Sequence, residues 1–156
     1  MKKLGTTLVL AFVLALTTTL TINAQSNDEE VDFVQSIFGM EKKEAVADFL
    51  DLETADPFWA LYDEYELQRK ELGKRRLALL ENYVDNYDNL SDEATDALLK
   101  EGQAIRNGNN KLIDKYHKKI KKVSGSKRAA QFYQIESYIQ SAIRYGILEG
   151  IPFLED

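Results

Sequence analysis

Two long amphipathic stretches of nearly equal length constrain the fold of this 156-residue chain more than any other feature. The first runs over Pro57–Asn89 and the second over Asp92–Val123, and in both the apolar side chains recur at helical spacing. An amphipathic helix of this length needs a partner that buries its apolar side. We therefore predict an antiparallel hairpin that turns at residues 89–91, with arms of roughly 50 Å at about 1.5 Å per residue.

Residues typical of helix boundaries support the same organisation. Asp56-Pro57 can begin the first arm, because aspartate accepts hydrogen bonds from a helix N-terminus and proline suits the first helical position. Ser91 can cap the second arm in the same way. A second joint at Ser124-Gly125-Ser126 predicts a last helix over residues 126–148, which Gly150 ends.

The sequence before the hairpin predicts a signal peptide and one further helix. Residues 1–24 combine a basic start, an apolar run and a small residue before a polar segment, as exported precursors do. Membrane contact is then expected only through this segment, before cleavage. Residues 25–55 are predicted to form a weakly held helical segment, and residues 56–156 the hairpin domain. The apolar face of the N-terminal helix is predicted to comprise Val34, Ile37, Phe38, Ala45 and Phe49.

Composition and charge limit both the fold class and the partners. Proline occurs only twice and strand-like alternation is missing after residue 24, so we predict an all-α fold of about four helices. Removal of residues 1–24 takes away two lysines and no acid, which changes the net charge from −6 to −8. An acidic chain is a poor binder of nucleic acid. Cysteine is absent, so no disulfide supports the fold.

Two arginines interrupt the apolar side of the first arm. Arg69 and Arg76 lie where helical spacing places apolar residues, between Tyr65 and Leu80. In a structural interpretation each aliphatic stem lies along the core and each guanidinium reaches a carboxylate of a facing helix, with Arg76 near Glu101. In a functional interpretation both arginines line an open concave surface that receives acidic or peptide ligands.

Lysines are concentrated at the end of the second arm, over residues 115–122, with Lys127 and Arg128 just beyond. Cations suit the C-terminus of a helix, so a solvent-exposed face matched to the helix dipole explains the cluster. A docking patch for anionic partners explains it as well. The residues predicted to bind proteins come from both arms and are Tyr62, Arg69, Arg76, Tyr83, Lys118 and Lys122.

No constellation in the sequence predicts catalysis. His117 is the single histidine, which excludes histidine-based triads, and its lysine neighbours disfavour a bound cation. The four aspartates around the first joint lack the spacing and the glycine of a calcium-binding loop. Phosphate-binding and nucleophile motifs are missing too. We therefore predict a non-enzymatic protein without a metal or a cofactor.

Three short segments carry a family resemblance. Leu90–Ala94 opens a helix directly after the first joint, and residues 121–136 combine a lysine run, a joint and an aromatic-Gln-x-Glu helix. Residues 151–154 add an Ile-Pro-Phe-Leu ending. Over roughly residues 58–154 the chain resembles a divergent branch of the Spy/CpxP family of periplasmic proteins. That family carries two L-T-x-x-Q motifs, and here Ser91 and Ala94 replace the threonine and the glutamine of the first.

The resemblance implies a periplasmic, all-helical hairpin, often a curved dimer, with an ATP-independent chaperone or envelope-stress role. We therefore expect a chaperone-like or stress-associated protein whose partners are unfolded clients or particular proteins. The alternative is a non-catalytic structural or interaction protein, whose hairpin forms a homodimer or docks on one partner.

Overall fold

The computed structural model describes residues 27–154, and every regular element in that range is a helix. Helix α1 runs over Asn27–Leu50, α2 over Phe58–Asn86 and α3 over Asp92–Gly150. A short 3-10 helix at Tyr87–Asn89 leads into the turn before α3. The predicted all-α fold is confirmed.

Helix α3 bends sharply at Gly125, whose φ of 81° and ψ of 171° are not helical. Residues 92–124 form its N-terminal arm and residues 126–150 its C-terminal arm. Glycine lacks a Cβ, so it adopts this backbone conformation without the steric strain of other residues. The bend lies in the predicted joint at residues 124–126, and the chain reverses there through a single residue rather than through a loop.

The predicted hairpin consists of α2 and the N-terminal arm of α3. Lys119 Nζ lies 2.7 Å from Glu64 Oε2, near the start of α2. Arg75 Nη2, farther along α2, lies 2.8 Å from Glu101 Oε1 near the start of α3. The two helices therefore run antiparallel, with the turn at one end of the molecule and the Gly125 bend at the other.

The C-terminal arm of α3 lies beside α2 and runs in the same direction. The Tyr62 hydroxyl donates to Glu136 at 3.0 Å, and the Tyr83 hydroxyl donates to the carbonyl oxygen of Pro152 at 2.7 Å. Later residues of α2 thus contact later residues of the arm. The arm thereby covers the apolar side that the hairpin leaves open.

The buried side chains of helix α1 whose positions are described, Lys42, Val46 and Leu50, pack at the bend end of this three-helix assembly. Lys43 Nζ of α1 lies 2.5 Å from Asp63 of α2. The guanidinium of Arg128, just after the bend, donates to the carbonyl oxygen of Leu50 at the end of α1. Four helical segments therefore meet at the bend end. The described part of the segment at residues 25–55 shares its core with residues 56–156.

The densest part of the core lies at the bend end. Aromatic rings pack edge to face there, with the centroids of Tyr65 and Phe132 5.2 Å apart and their planes at 86°. The largest buried apolar side chains come from all four segments. They are Val46, Leu50, Phe58, Tyr62, Tyr65, Tyr116, Ile120 and Phe132.

The predicted face of α1 is corrected by the structure. Phe49 is 47 % exposed, whereas Val46 and Leu50 are buried together with Lys42, at four-residue spacing. Val34, Ile37 and Phe38 lie outside the residues whose side chains are described. The prediction assigned Phe49 to the inward face because its side chain is apolar. The inward face instead begins with Lys42, whose charge hid its place in the pattern.

The two predicted helix starts are confirmed. Ser91 Oγ accepts a hydrogen bond from the amide of Ala94 at 3.2 Å, and Asp56 Oδ1 accepts one from the amide of Phe58 at 2.8 Å. The predicted signal peptide lies outside the described residues. Within residues 27–154, no helix combines the length and the apolarity needed to cross a membrane.

Candidate protein-binding surface

The six residues predicted to bind proteins occupy three different environments. Tyr62 and Arg69 are buried, Arg76 and Tyr83 are half-buried, and Lys118 and Lys122 are exposed. Buried and exposed residues cannot contribute to one contact surface in this conformation. The structure therefore does not bring the six together.

Tyr62 belongs to a set of donors around Glu136. The Glu136 carboxylate is fully buried and accepts hydrogen bonds from Tyr62 at 3.0 Å, Tyr65 at 2.6 Å and Lys42 at 2.8 Å. Burial, and then the charge of Glu136, raise the pKa of both tyrosines well above the ordinary value. Both hydroxyls therefore stay protonated and act as donors.

Arg69 belongs to the same buried cluster. Glu66 accepts from Lys42 Nζ at 2.5 Å and from Arg69 Nε at 3.0 Å. Burial by itself would raise the pKa of Glu66, but Lys42 and Arg69 outweigh it and the pKa is lowered. Burial would lower the pKa of Arg69, and the nearby carboxylate of Glu66 raises it instead.

We call Lys42, Glu66, Arg69 and Glu136 the buried ion cluster. It joins α1, α2 and the C-terminal arm of α3, so its geometry supports the structural interpretation of Arg69. The hydrogen-bond partner of Arg69 differs from the predicted one. Glu66 precedes Arg69 by three residues on the same helix, and it is not a carboxylate of a facing helix.

Arg76 has a different environment from Arg69. Its Nη2 donates to the neutral Gln140 Oε1 at 3.3 Å, and Glu101 is paired with Arg75 instead. Arg76 therefore does not pair with Glu101; the neighbouring Arg75 does, about 100° away around the helix. Arg76 nevertheless lies in the neighbourhood of Glu101, as predicted, since it lines a cavity together with Gly102. Burial, and then the charge of Arg69, lower the pKa of Arg76.

Sequence reasoning missed Lys42 and Glu136, although a signal for both exists. Glu136 follows the buried Phe132 by four residues and precedes the buried Ile139 by three. Lys42 precedes the buried Val46 by four. This is the same interruption of an apolar face that drew attention to Arg69.

The lysine cluster divides between two environments. Lys115 donates to Gln68 at 2.9 Å and Lys119 to Glu64 at 2.7 Å, so these two bind α2. The hydrogen bond from Lys119 is the main reason that the pKa of Glu64 is lowered. Lys118 and Lys122 extend into solvent.

The outer face of the C-terminal arm carries exposed aromatic side chains. Tyr133, Tyr138 and Tyr145 are 44 %, 55 % and 63 % exposed. Tyr138 and Tyr145 are seven residues apart and so lie on the same side of the helix. Tyr133 packs against His117, with ring centroids 5.8 Å apart, which places it beside the exposed lysines. We call Tyr138 and Tyr145 the tyrosine row; Tyr133, five residues before Tyr138, lies about 140° around the helix from it.

The predicted apolar tail, residues 151–154, follows the end of α3. The Tyr83 and Tyr87 hydroxyls donate to the carbonyl oxygens of Pro152 and Phe153, at 2.7 and 2.5 Å. These bonds hold the tail backbone against α2. The Phe153 side chain nevertheless remains 72 % exposed. Tyr83, predicted to contact partners, therefore positions the tail.

The charge of this region is opposite to that of the whole chain. Residues 115–148 contain eight lysines and arginines and one acid, Glu136, whereas the chain has 26 acids and a net charge of −6. Glu136 is fully buried. The solvent-exposed surface of this region therefore combines aromatic rings with an excess of positive charge, of which Lys119 is paired with Glu64.

Comparison of the chain with protein-family models, with curated proteins and with solved structures finds no significant match. The resemblance to the Spy/CpxP family thus stays a prediction. Among the described residues, no three histidines or acids lie close enough together to hold a metal ion.

Proposed function

We propose that this protein is an exported, ATP-independent chaperone-like protein that binds unfolded or partially folded polypeptides. The tyrosine row and its basic surroundings carry the proposal. Tyrosine and arginine are enriched in protein interfaces, because tyrosine combines a large apolar ring with a polar tip. The exposed lysines Lys118 and Lys122 of the neighbouring arm attract acidic segments before apolar contacts form.

The proposed binding surface differs from the inner side of the hairpin. The C-terminal arm of α3 and α1 cover that inner side, where Tyr62 and Arg69 are buried. The outer face remains open and includes Tyr138, Tyr145 and Leu148. A shallow surface of this kind favours weak, reversible binding, which suits the holding of a client that must later fold.

Suppression of aggregation of a reduced model protein tests the proposal. The wild-type chain at a severalfold molar excess is expected to delay light scattering of the model protein. Tyr138→Ser combined with Tyr145→Ser should remove at least half of this effect. Leu67→Ser combined with Val84→Ser, a matched pair of exposed apolar residues on α2, should keep it. Absence of suppression by the wild-type chain would contradict the proposal.

A second candidate is a homodimer or single-partner module that uses the same face. The exposure of Phe153 and Leu154 in the tail, in addition to the tyrosine row, favours it, because exposed apolar surface commonly marks an interface. Light scattering coupled to size-exclusion chromatography separates the two candidates. A concentration-independent dimer that Tyr145→Ser dissociates, without suppression of aggregation, would support the second candidate.

A further inference from the structure

Two adjacent cavities lie in the half of the bundle nearer to the turn. The first, of about 350 Å³, lies between α2 and the two arms of α3, and three arginines line it: Arg76, Arg106 and Arg144. The second, of about 290 Å³, lies beside the turn between α2 and α3. We call them the arginine cavity and the apolar cavity.

The arginine cavity concentrates positive charge in an acidic protein. No aspartate or glutamate of the described chain lines it, and no described carboxylate forms an ion pair with its three arginines. Arg76 is half-buried, and its hydrogen-bond partner Gln140 is neutral. Burial, and then the charge of Arg69, lower the pKa of Arg76. An anionic group in this cavity would therefore relieve an unfavourable environment.

The apolar cavity has the opposite chemistry. Tyr83, Leu98 and Leu154 are among its lining residues, and no charged side chain of the described residues lines it. Leu79 and Leu80 line both cavities, so the two adjoin at these side chains. The path from one to the other thus leads from a cationic region to an apolar one.

We infer that the two cavities together bind a single-chain amphipathic carboxylate, such as a medium-chain fatty acid. The carboxylate lies among the three arginines and the aliphatic chain extends past Leu80 into the apolar cavity. The volumes suit a small ligand, since small-molecule sites typically span about 300–1,000 Å³. The inference does not depend on the tyrosine row, because Tyr138 and Tyr145 line neither cavity, although Leu148 lines the arginine cavity and also lies on the outer face.

Isothermal titration of the full chain with dodecanoate, below its micellar concentration, tests the inference. We expect one ligand per chain. Affinity should rise about three- to fourfold for each methylene added between octanoate and dodecanoate, because each buried methylene adds a similar increment. Dodecanol, which lacks the charge, should bind about tenfold more weakly than dodecanoate. Equal affinity for dodecanol, or no measurable binding, would overturn the inference.

Single substitutions test where the carboxylate lies, and a peptide ligand tests a different ligand class. Arg144 is exposed, so Arg144→Gln should fold normally and weaken dodecanoate binding about tenfold. Lys121→Gln, an exposed cation that lines neither cavity, is the matched control and should leave the affinity unchanged. An unaltered affinity of Arg144→Gln would contradict the assignment. Tighter binding of an acetylated apolar peptide with a free C-terminus would do so as well, in favour of peptide recognition.

Discussion

Glu136 illustrates how this bundle accommodates a charge in its interior. A buried carboxylate is costly unless its oxygens are paired and hydrogen-bonded. Here Tyr62, Tyr65 and Lys42 supply three donors within 3.0 Å, and Lys42 also binds Glu66. Lys42 is the cation that both carboxylates share, so its removal leaves Glu136 without this ion pair, whereas Glu66 keeps Arg69.

Lys42→Met is expected to destabilise the protein by about 3–5 kcal/mol, because it leaves two buried carboxylates without a shared cation. Lys43→Met is the matched control. Lys43 forms an exposed pair with Asp63, and such pairs contribute about 0–1 kcal/mol. Urea denaturation followed by circular dichroism measures both. Equal losses in the two variants would show that the buried ion cluster has no special role.

Arg69 and Arg76 should respond differently to the same substitution. Arg69→Met removes charge-assisted hydrogen bonds to Glu66 and should cost about 1.5–3 kcal/mol. Arg76→Met keeps an aliphatic stem and removes a half-buried cation that no described carboxylate balances, so stability should change by less than about 1 kcal/mol. Thermal denaturation of both variants provides the comparison. A larger loss for Arg76→Met would contradict this interpretation.

At the scale of helices, Gly108 and Gly125 of α3 have distinct roles. A Cβ at Gly108 would lie 3.0 Å from Leu72 Cδ2, so the missing side chain lets α2 approach α3 closely. Helix α3 is continuous through Gly108. Gly125 allows the bend, because its φ of 81° strains any residue with a Cβ.

Gly125→Ala should destabilise the protein by about 1–3 kcal/mol, since alanine must adopt a strained backbone conformation or straighten α3. Gly39→Ala is the control. A Cβ at Gly39 meets open space in a helix, so alanine there should leave stability unchanged or raise it by up to about 1 kcal/mol. Urea denaturation measures the stability, and small-angle X-ray scattering detects a straightened α3. Unaltered stability and shape of Gly125→Ala would contradict the strain argument.

Across the whole molecule, the bend end and the turn end differ in how tightly they are packed. The bend end has four helical segments, interlocking aromatic rings and the buried ion cluster. The turn end has two cavities and a tail whose Phe153 and Leu154 side chains are exposed. Helix α1 is attached through the same cluster that fills the bend end. Loss of the cluster should therefore release α1 before the rest unfolds.

Acid is expected to cause this release. The pKa of Glu66 is lower in the folded protein than its value of about 4.3 in an unfolded chain. Its stabilising contribution is therefore complete above pH 4.3 and is lost as the pH falls through the lower folded value. Trp59, the single tryptophan, is 7 % exposed and donates to the carbonyl oxygen of Glu53 at 2.8 Å, just after α1. Its fluorescence should shift to longer wavelength as α1 leaves.

Glu66→Gln provides the control for this acid transition. Glutamine does not titrate, so the variant should be less stable than wild type at neutral pH and should show a smaller further loss below about pH 4. Identical pH profiles of Trp59 fluorescence would show that Glu66 does not control the release of α1.

The sequence was informative wherever short-range chemistry decides the outcome. Apolar spacing predicted the all-α hairpin, and the preferences of Asp56, Ser91 and Gly125 for caps and bends predicted the joints. These features depend on residues a few positions apart, so they can be recognised without knowledge of the fold. The sequence left open whether Lys118 and Lys122 are exposed, and only the structure shows that they are.

The partners of charged side chains were decided by the tertiary structure alone. Which carboxylate meets an arginine depends on the rotation of each helix about its axis, and an error of one residue exchanged Arg75 for Arg76 at Glu101. Lys42 and Glu136 meet across 94 positions of the chain, through two helices that the sequence does not orient. The periodicity of this sequence determines that helices form and where they end. Packing determines which polar groups are buried together and which surface, here the outer face of the C-terminal arm, remains available to a partner.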